Sequence, residues 1–184
     1  MATYRPFSGV ALLVCILAFH SSCRDEGGTF DYVSLQRTQC YGGCPAYAVR
    51  VYADGRVQYD GGWFVRVMGR QTTRITADQR DALNREIRQA NYFHLRDSYQ
   101  TKEDGCTSVW TDLPLVRTTV LMNGRSKSIL HYLGCSSTDA SRDFSHGPAP
   151  YPPELGRFEQ RVDEILRTDR WARGAPSASR PAAR

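Results

Sequence analysis

The sequence has little lysine, and its charged residues form no block of one sign. Lys102 and Lys127 are its only lysines, and the formal net charge of +5 comes from arginines scattered among acidic residues. The sequence therefore lacks the basic run that is typical of nucleic-acid-binding segments. We predict that the charged residues form a solvated surface, and we expect no nucleic-acid partner.

The sequence also lacks the short motifs of several enzyme classes. It contains no Gly-x-Ser-x-Gly nucleophile elbow, no phosphate-binding glycine loop and no dinucleotide-binding fingerprint. His94, His131 and His146 are far apart, with no spacing typical of a metal-binding helix or of a Cys-His nucleophile. We therefore predict no catalytic residue, no metal site and no cofactor, and the sequence favours a non-enzymatic role.

The apolar run near the N-terminus is too short to span a membrane. It extends from Phe7 to Phe19, with Arg5 as the only charge before it, and it leads into His-Ser-Ser-Cys at residues 20–23. A membrane-spanning helix needs about 20 apolar residues. A basic residue, a short apolar run and small residues, in this order, predict a signal peptide over residues 1–22 and export from the cytoplasm.

Residues 21–23 (Ser-Ser-Cys) resemble a bacterial lipobox, in which small residues precede a cysteine that is acylated and becomes the new N-terminus. His20 departs from that pattern, and a plain signal peptide cut near Ser22 is the alternative. Residues 24–29 are polar and suit a tether between an anchor and a folded domain. We predict a lipoprotein anchored through Cys23 and facing the periplasm or the exterior. Arg24 favours the outer membrane if the host has one, because it does not resemble the Asp of an inner-membrane retention signal.

Alternating apolar residues and turns predict an antiparallel meander in the first half of the chain. Strands are predicted over residues 30–37, 46–52, 57–59 and 63–67, and Asp54-Gly55 is typical of a short hairpin turn. The alternating residues are Val33 and Leu35, then Tyr47, Val49 and Val51, then Val57 and Tyr59, and finally Trp63, Val65 and Val67.

Two helices and a second hairpin are predicted in the remainder of the chain. Thr76 and Gln79 form a capping-box pattern at the start of the first helix. Asn123-Gly124 predicts a hairpin between strands at residues 116–120 and 126–133, and Pro153 suits the first turn of the last helix. The apolar stripes are Leu83, Ile87 and Ala90 in the first helix, and Leu155, Phe158, Val162, Ile165 and Leu166 in the last.

These elements predict a single α+β domain over residues 30–171. It consists of an antiparallel sheet of about five or six strands, a meander plus a hairpin, with two helices packed on one face. Trp171 is expected to close the fold. Residues 23–29 form the tether, and residues 172–184, rich in Ala, Ser, Pro and Arg, are predicted to be a disordered tail.

Four cysteines follow Cys23, and an even number in an exported chain predicts two disulfides. Three pairings are possible, and we predict Cys40–Cys44 and Cys106–Cys135. The first closes a small ring in which two glycines supply unusual backbone angles. The second closes a loop of about 30 residues and is expected to stabilise the fold by about 3 kcal/mol.

Three alternatives use the same residues for chemistry. The four thiolates, with His131, are candidate ligands for zinc. The Cys40/Cys44 pair is a candidate redox site, because a small strained ring is more easily reduced than a relaxed one. The loop carboxylates Asp97, Asp104 and Asp112 are candidates for acid–base work in a hydrolase.

The motif Cys-Tyr-Gly-x-Cys-Pro-x-Tyr at residues 40–47, followed by Tyr-x-Asp-Gly at residues 52–55, resembles an uncharacterised bacterial domain family of unknown function. That family occurs in exported proteins and lipoproteins. The resemblance spans residues 31–133 and continues through Ile75–Gln79, Asn91–Phe93, Asp97–Tyr99, Thr111–Pro114 and Asn123–Arg125. It implies a domain of the cell envelope, and it implies no activity, substrate or catalytic residue.

Aromatic residues around the first hairpin and the cysteine loops give the candidate binding surface. Aromatic and arginine side chains suit the recognition of peptides or glycans, although sheets are also rich in aromatics for packing alone. Tyr41 and Trp110 are expected to be the most exposed, since they lie in turns. We predict an envelope module that binds a protein, a peptide or a cell-wall component through Tyr41, Gly42, Gly43, Pro45, Trp110 and Asp112.

Overall fold

The computed structural model describes residues 28–137 and 150–172. The predicted signal peptide, Cys23 and most of the tether lie outside these residues, as do residues 138–149, with His146, and the chain from residue 173 onward. In the described part of the chain, no helix is long and apolar enough to span a membrane.

The described residues form an α+β fold, as predicted. The helices are α1 (Ala77–Gln89), α2 (Pro153–Leu166) and α3 (Asp169–Ala172), with a 3-10 turn over Tyr92–His94. The strands are β1 (Phe30–Arg37), β2 (Tyr47–Tyr52), β3 (Arg56–Gly61), β4 (Gly69–Arg74), β5 (Ser98–Tyr99), β6 (Ser108–Val109), β7 (Leu115–Met122), β8 (Arg125–Tyr132) and β9 (Cys135–Ser136).

The main sheet has seven strands, so it is larger than the predicted five or six. Its order is β4-β3-β2-β1-β7-β8-β5, and a separate small sheet pairs β6 with β9. All its pairs are antiparallel except β5 with β8. β5 was not predicted, because it is only two residues long and lies in a polar loop. β4, with the sequence Gly-Arg-Gln-Thr-Thr-Arg, carries no apolar alternation.

The predicted strand over residues 63–67 is wrong. Gly61 pairs with Gly69 at the end of the β3–β4 ladder, so the chain between them forms a loop. Phe64 has a φ of 57°, in the left-handed region that does not occur within a strand. The backbone N–H of Val67 donates to the carbonyl of Trp171 (3.0 Å), so this loop contacts α3 instead of a neighbouring strand.

Both predicted hairpin turns are confirmed. Gly55, in the turn between β2 and β3, has a φ of 81°, a conformation that glycine adopts without steric cost. Asn123 and Gly124 have φ values of 53° and 71°, as a two-residue type I′ turn requires. The strands β1 to β4 form a meander, of which β1 to β3 were predicted and β4 was not, and β7 and β8 form the predicted hairpin.

The predicted capping box of α1 is also confirmed, and it links the two long helices. The backbone N–H of Gln79 donates to the Thr76 hydroxyl (3.2 Å), and the backbone N–H of Thr76 donates to the Gln79 side-chain oxygen (2.9 Å). The Gln79 amide donates in turn to the carbonyl of Ile165 (2.6 Å) near the end of α2. This contact holds α1 and α2 side by side.

The core lies between the helices and one face of the main sheet. Alternate strand residues such as Val33, Val49 and Val120 are completely buried, together with Leu83 of α1 and Leu155 of α2. The intervening strand residues point to the other face, which is polar and which we call the open face. It includes Ser34, Gln36, Arg50, Gln58, Asp60, Arg70, Arg117 and Thr119.

The α3 helix closes one end of this core. The ring centroid of Trp171 lies 4.9 Å from that of Tyr59, a buried core residue, in agreement with the predicted role of Trp171. Ala172 was placed in the disordered tail by the sequence analysis. In the structure it is the last residue of α3 and is buried.

Candidate functional site

The first disulfide lies at the end of the sheet where β1 finishes at Arg37. We call this end distal, because the chain enters β1 at the opposite end, at Phe30. Cys40 and Cys44 are bonded as predicted, with their Cα atoms 5.3 Å apart. Gly42 and Gly43 inside the ring have φ values of 112° and 93°, which residues with a Cβ rarely adopt. The glycines therefore make this tight turn between β1 and β2 possible.

The second disulfide joins Cys106 to Cys135, again as predicted. It fixes the loop after β5 to the chain that follows β8, beside the short β6–β9 sheet. Because all four sulfurs are joined in these two pairs, they offer no thiolate to a zinc ion. Within the described residues, no three His, Cys, Asp or Glu side chains are grouped so that they could hold a metal ion.

Four large apolar side chains are exposed on the two loops at this end of the fold. Residue exposure is 89% for Tyr41, 64% for Trp63, 57% for Phe64 and 69% for Met68. The two loops touch, since a Cβ added to Gly43 would lie 3.5 Å from Cδ1 of Phe64. We call Tyr41, Trp63, Phe64 and Met68 the distal cluster.

The predicted binding surface lies only partly at this end. Tyr41 is exposed, and its backbone N–H donates to the carbonyl of Asp112 (3.2 Å), which brings the disulfide loop to the chain before β7. Trp110 is half-buried, and its backbone N–H donates to the carbonyl of Gly134 (2.8 Å), on the side of the second disulfide. The structure thus places Tyr41 and Asp112 together.

Phe64 and Met68 were missed by the sequence analysis. The alternation of Trp63, Val65 and Val67 predicts a strand, and that prediction gave no reason to place Phe64 and Met68 on an exposed loop. The available signal was the pair of glycines, Gly61 and Gly69, which flank the segment and support a loop between two hairpin strands.

The three loop carboxylates do not form a shared site. Three donors surround Oδ2 of Asp104: the backbone N–H groups of Gln100 (2.7 Å) and Thr101 (3.2 Å), and the Ser98 hydroxyl (2.9 Å). These bonds, with that from Gln100 the largest cause, hold the pKa of Asp104 below its usual value. The Asp97 carboxylate instead binds Lys127 at 2.5 Å. Asp104 therefore stabilises its own loop, as aspartate does in many turns.

A polar network ties the distal end of β1 to the end of α2. The Arg37 guanidinium pairs with Asp163 (2.7 Å), and the Tyr47 hydroxyl donates to the same carboxylate (2.6 Å). The Thr168 hydroxyl adds a third bond to it (2.7 Å). Burial raises the pKa of Tyr47 above its ordinary value, and the Asp163 charge raises it further. Because donors from three residues meet on the Asp163 carboxylate, this network is a structural anchor at the Arg37 end of the fold.

His131 and Glu159 form a second polar contact, which is fully buried in the core. Nδ1 of His131, on β8, lies 3.0 Å and 2.9 Å from the two carboxylate oxygens of Glu159, on α2. Both residues are at most 1% exposed. Nε2 of His131 has no hydrogen-bond partner among the described residues. The pair joins α2 to the sheet, and its spacing in the chain gave no motif by which the sequence could reveal it.

The chain belongs to a family defined by a domain of unknown function, DUF6438, whose model matches residues 31–166. The match begins at the second residue of β1 and ends at the last residue of α2, so it covers the main sheet and both long helices. It confirms the expected membership of a family of unknown function. A comparison with curated proteins finds no match to this chain.

Replacing His131 is expected to destabilise the fold strongly, because it leaves the Glu159 carboxylate buried without its partner. His131→Ala should lower the free energy of unfolding by about 3–5 kcal/mol. The double variant His131→Leu/Glu159→Leu should lose much less, since an apolar pair has no buried charge. Urea unfolding followed by tryptophan fluorescence measures both values.

His94→Ala is the control, because His94 is exposed, and it should change the free energy by less than about 0.5 kcal/mol. A loss below about 1 kcal/mol for His131→Ala, similar to that of an ordinary hydrogen bond, would contradict the structural role of this pair.

Proposed function

We propose that this protein is an exported, lipid-anchored envelope module that binds a protein partner through the distal cluster and catalyses no reaction. The observation that carries the proposal is the exposure of Tyr41, Trp63, Phe64 and Met68 on two touching loops. Scattered exposed apolar residues are ordinary, but four large ones on two adjoining loops are a feature typical of an interaction surface.

The types of residue in the cluster support a protein as the partner. Tryptophan, tyrosine, phenylalanine and methionine are enriched in protein interfaces, and tryptophan and tyrosine are frequent binding hot spots. Methionine adapts its shape to the surface that it meets. Phe64 also takes the left-handed conformation, which costs free energy in a bulky residue, although its side chain is 57% exposed.

The position of the cluster favours a partner in the envelope space over the bilayer that holds the anchor. The tether of residues 23–29 joins the domain at Phe30 and reaches about 24 Å at full extension. Arg37, at the other end of β1, lies about 23 Å further on, since each strand residue adds about 3.3 Å. The distal cluster, beyond Arg37, therefore lies at the end of β1 that is farther from the tether to Cys23.

Export and anchoring are supported by the chain's sequence and by its disulfides. The signal-like N-terminus and the Ser-Ser-Cys sequence before the tether predict export and acylation. Two disulfides are typical of a protein in an oxidising compartment. A triply acylated cysteine would hold the domain stably, whereas a single acyl chain gives only marginal binding.

A structural role for Cys40–Cys44 is favoured over redox chemistry by its surroundings. The pair lies in a turn between the strands β1 and β2. Redox-active cysteines are usually placed at the N-terminus of a helix, which lowers the pKa of the attacking thiol. In this domain the ring instead supports Tyr41 and contacts Phe64.

Cys23→Ala tests the anchor. The intact mass of the protein from its own membrane fraction should show an N-terminal acylated cysteine, and Cys23→Ala should remove both the acyl mass and the sedimentation with membranes. The change leaves the described domain untouched. An unmodified mass, or a Cys23→Ala variant that still sediments, would contradict the anchor without bearing on the partner surface.

Crosslinking in intact cells tests the distal cluster. A photoreactive amino acid at position 41 in the full chain should capture one protein repeatedly. Trp63→Ser and Met68→Ser should each lower the yield of that adduct about tenfold, as expected from the loss of a binding hot spot. Ser126→Ala, an exposed change at the Phe30 end of the sheet, is the matched control and should leave the yield unchanged.

Two outcomes would contradict the partner surface. The first is an adduct whose yield does not respond to Trp63→Ser or Met68→Ser. The second is an adduct formed with a second copy of this chain or with lipid, identified by its mass in cells that carry two size-distinct versions of the protein.

A further inference from the structure

The open face of the main sheet holds a second candidate site, separate from the distal cluster. A depression of about 380 Å³ extends over it, lined by side chains of the five strands β4, β3, β2, β1 and β7. This volume is within the range of small-ligand sites. No residue of the distal cluster lines it.

Three arginines are spread across this depression at regular intervals. Arg117 is on β7, Arg50 on β2 and Arg70 on β4, so each is separated from the next by one intervening strand. Because neighbouring strands lie about 4.8 Å apart, successive arginines are offset by about 10 Å across the sheet. Arg117 lies opposite Gln36 and Arg70 lies opposite Asp60, on one line across the strands, whereas Arg50 lies two residues, about 7 Å, along its strand. The three arginines thus form a staggered row across the strands.

Polar groups fill the spaces between the arginines. Arg50 pairs in register with Ser34 on one side and Gln58 on the other. Arg117 lies opposite Gln36, and Ser34 lies opposite Thr119. The face therefore alternates cationic groups with hydroxyl and amide groups, which both donate and accept hydrogen bonds.

The positive charge of this row is only partly offset. Among the described residues, Asp60 is the only acidic residue that lines the depression, and it lies opposite Arg70 in the register, so Arg117 and Arg50 have no acidic neighbour in that lining. Among the described residues, none of the three arginines forms an ion pair with a carboxylate. Arg50 is held with its guanidinium 5.1 Å from the ring centroid of Tyr32, a contact that orients the group and leaves its charge in place.

We propose that the open face binds a linear anionic polysaccharide that carries carboxylate groups. Its carboxylates pair with Arg117, Arg50 and Arg70, since a guanidinium binds a carboxylate through two parallel hydrogen bonds. Its hydroxyl groups bond to Ser34, Gln36, Gln58 and Thr119. A ligand that crosses the strands in this way meets all three charges at once.

A polysaccharide fits this face better than an acidic peptide. β1, β2, β3 and β7 are interior strands, so their backbone groups are already paired on both sides. The face therefore cannot extend its sheet with a peptide strand, which is the usual source of affinity for an extended peptide. Recognition depends on side chains alone, and their hydroxyl, amide and guanidinium groups match a chain rich in hydroxyls and carboxylates.

Binding of polygalacturonate oligomers to the full mature chain tests the site. Calorimetry at low salt should show binding that weakens as salt is raised. Arg50→Gln and Arg117→Gln should each weaken it about tenfold. Arg85→Gln removes the same charge from an exposed position on α1, and it should leave the affinity unchanged. An unchanged thermal unfolding midpoint shows that each variant is folded.

Four results would overturn the proposal. They are the absence of binding by the folded wild-type chain, equal binding of neutral dextran, polyglutamate binding as tight as that of polygalacturonate, and an equal loss of affinity in Arg85→Gln. Vesicles containing anionic lipid form a further arm. If the chain binds these vesicles but not polygalacturonate, and Arg50→Gln abolishes the vesicle binding, the arginines bind lipid headgroups. That result would also overturn the polysaccharide proposal.

Discussion

The packing of α1 and α2 against one face of the main sheet is the constraint on which the rest of the structure depends. The apolar stripes of these helices, with Leu83, Leu155 and Phe158 fully or almost fully buried, cover the inward residues of five strands. Two layers are enough to bury one core, so the second face of the sheet stays polar. The buried His131–Glu159 contact and the partly buried Arg37–Asp163 contact then fix how α2 lies on the sheet.

This one-sided arrangement leaves two different surfaces for interaction. At the Arg37 end, backbone hydrogen bonds join the 40–44 ring to Asp112 and the 62–68 loop to Trp171, and their large apolar side chains remain in solvent. Across the sheet, the open face presents guanidinium groups. An apolar cluster and a cationic row suit ligands of different chemistry, and no residue lines both surfaces, so the proposed protein partner and the proposed anionic polymer would not compete.

The parts of the fold that could be predicted are those specified by neighbouring residues. The capping box at Thr76, the turns at Asp54-Gly55 and Asn123-Gly124, and both disulfide pairings follow from local chemistry or from spacing. β4 could not be predicted, because its sequence has no apolar alternation. The 63–67 loop could not be predicted either, because its residues alternate as in a strand although they pair with no neighbouring strand. Contacts such as Arg37–Asp163 join residues 126 positions apart, and the row of arginines appears only once the lateral order of the strands is known.

The most direct test of this account compares two adjacent residues of β2, Val49 on the covered face and Arg50 on the open face. The free energy of unfolding of Val49→Ala and of Arg50→Ala, measured in urea, reports whether each face is buried. The account predicts a loss of about 2 kcal/mol for Val49→Ala and a change within about 0.5 kcal/mol for Arg50→Ala. Equal losses at the two positions would contradict it, because they would mean that both faces of the sheet are covered.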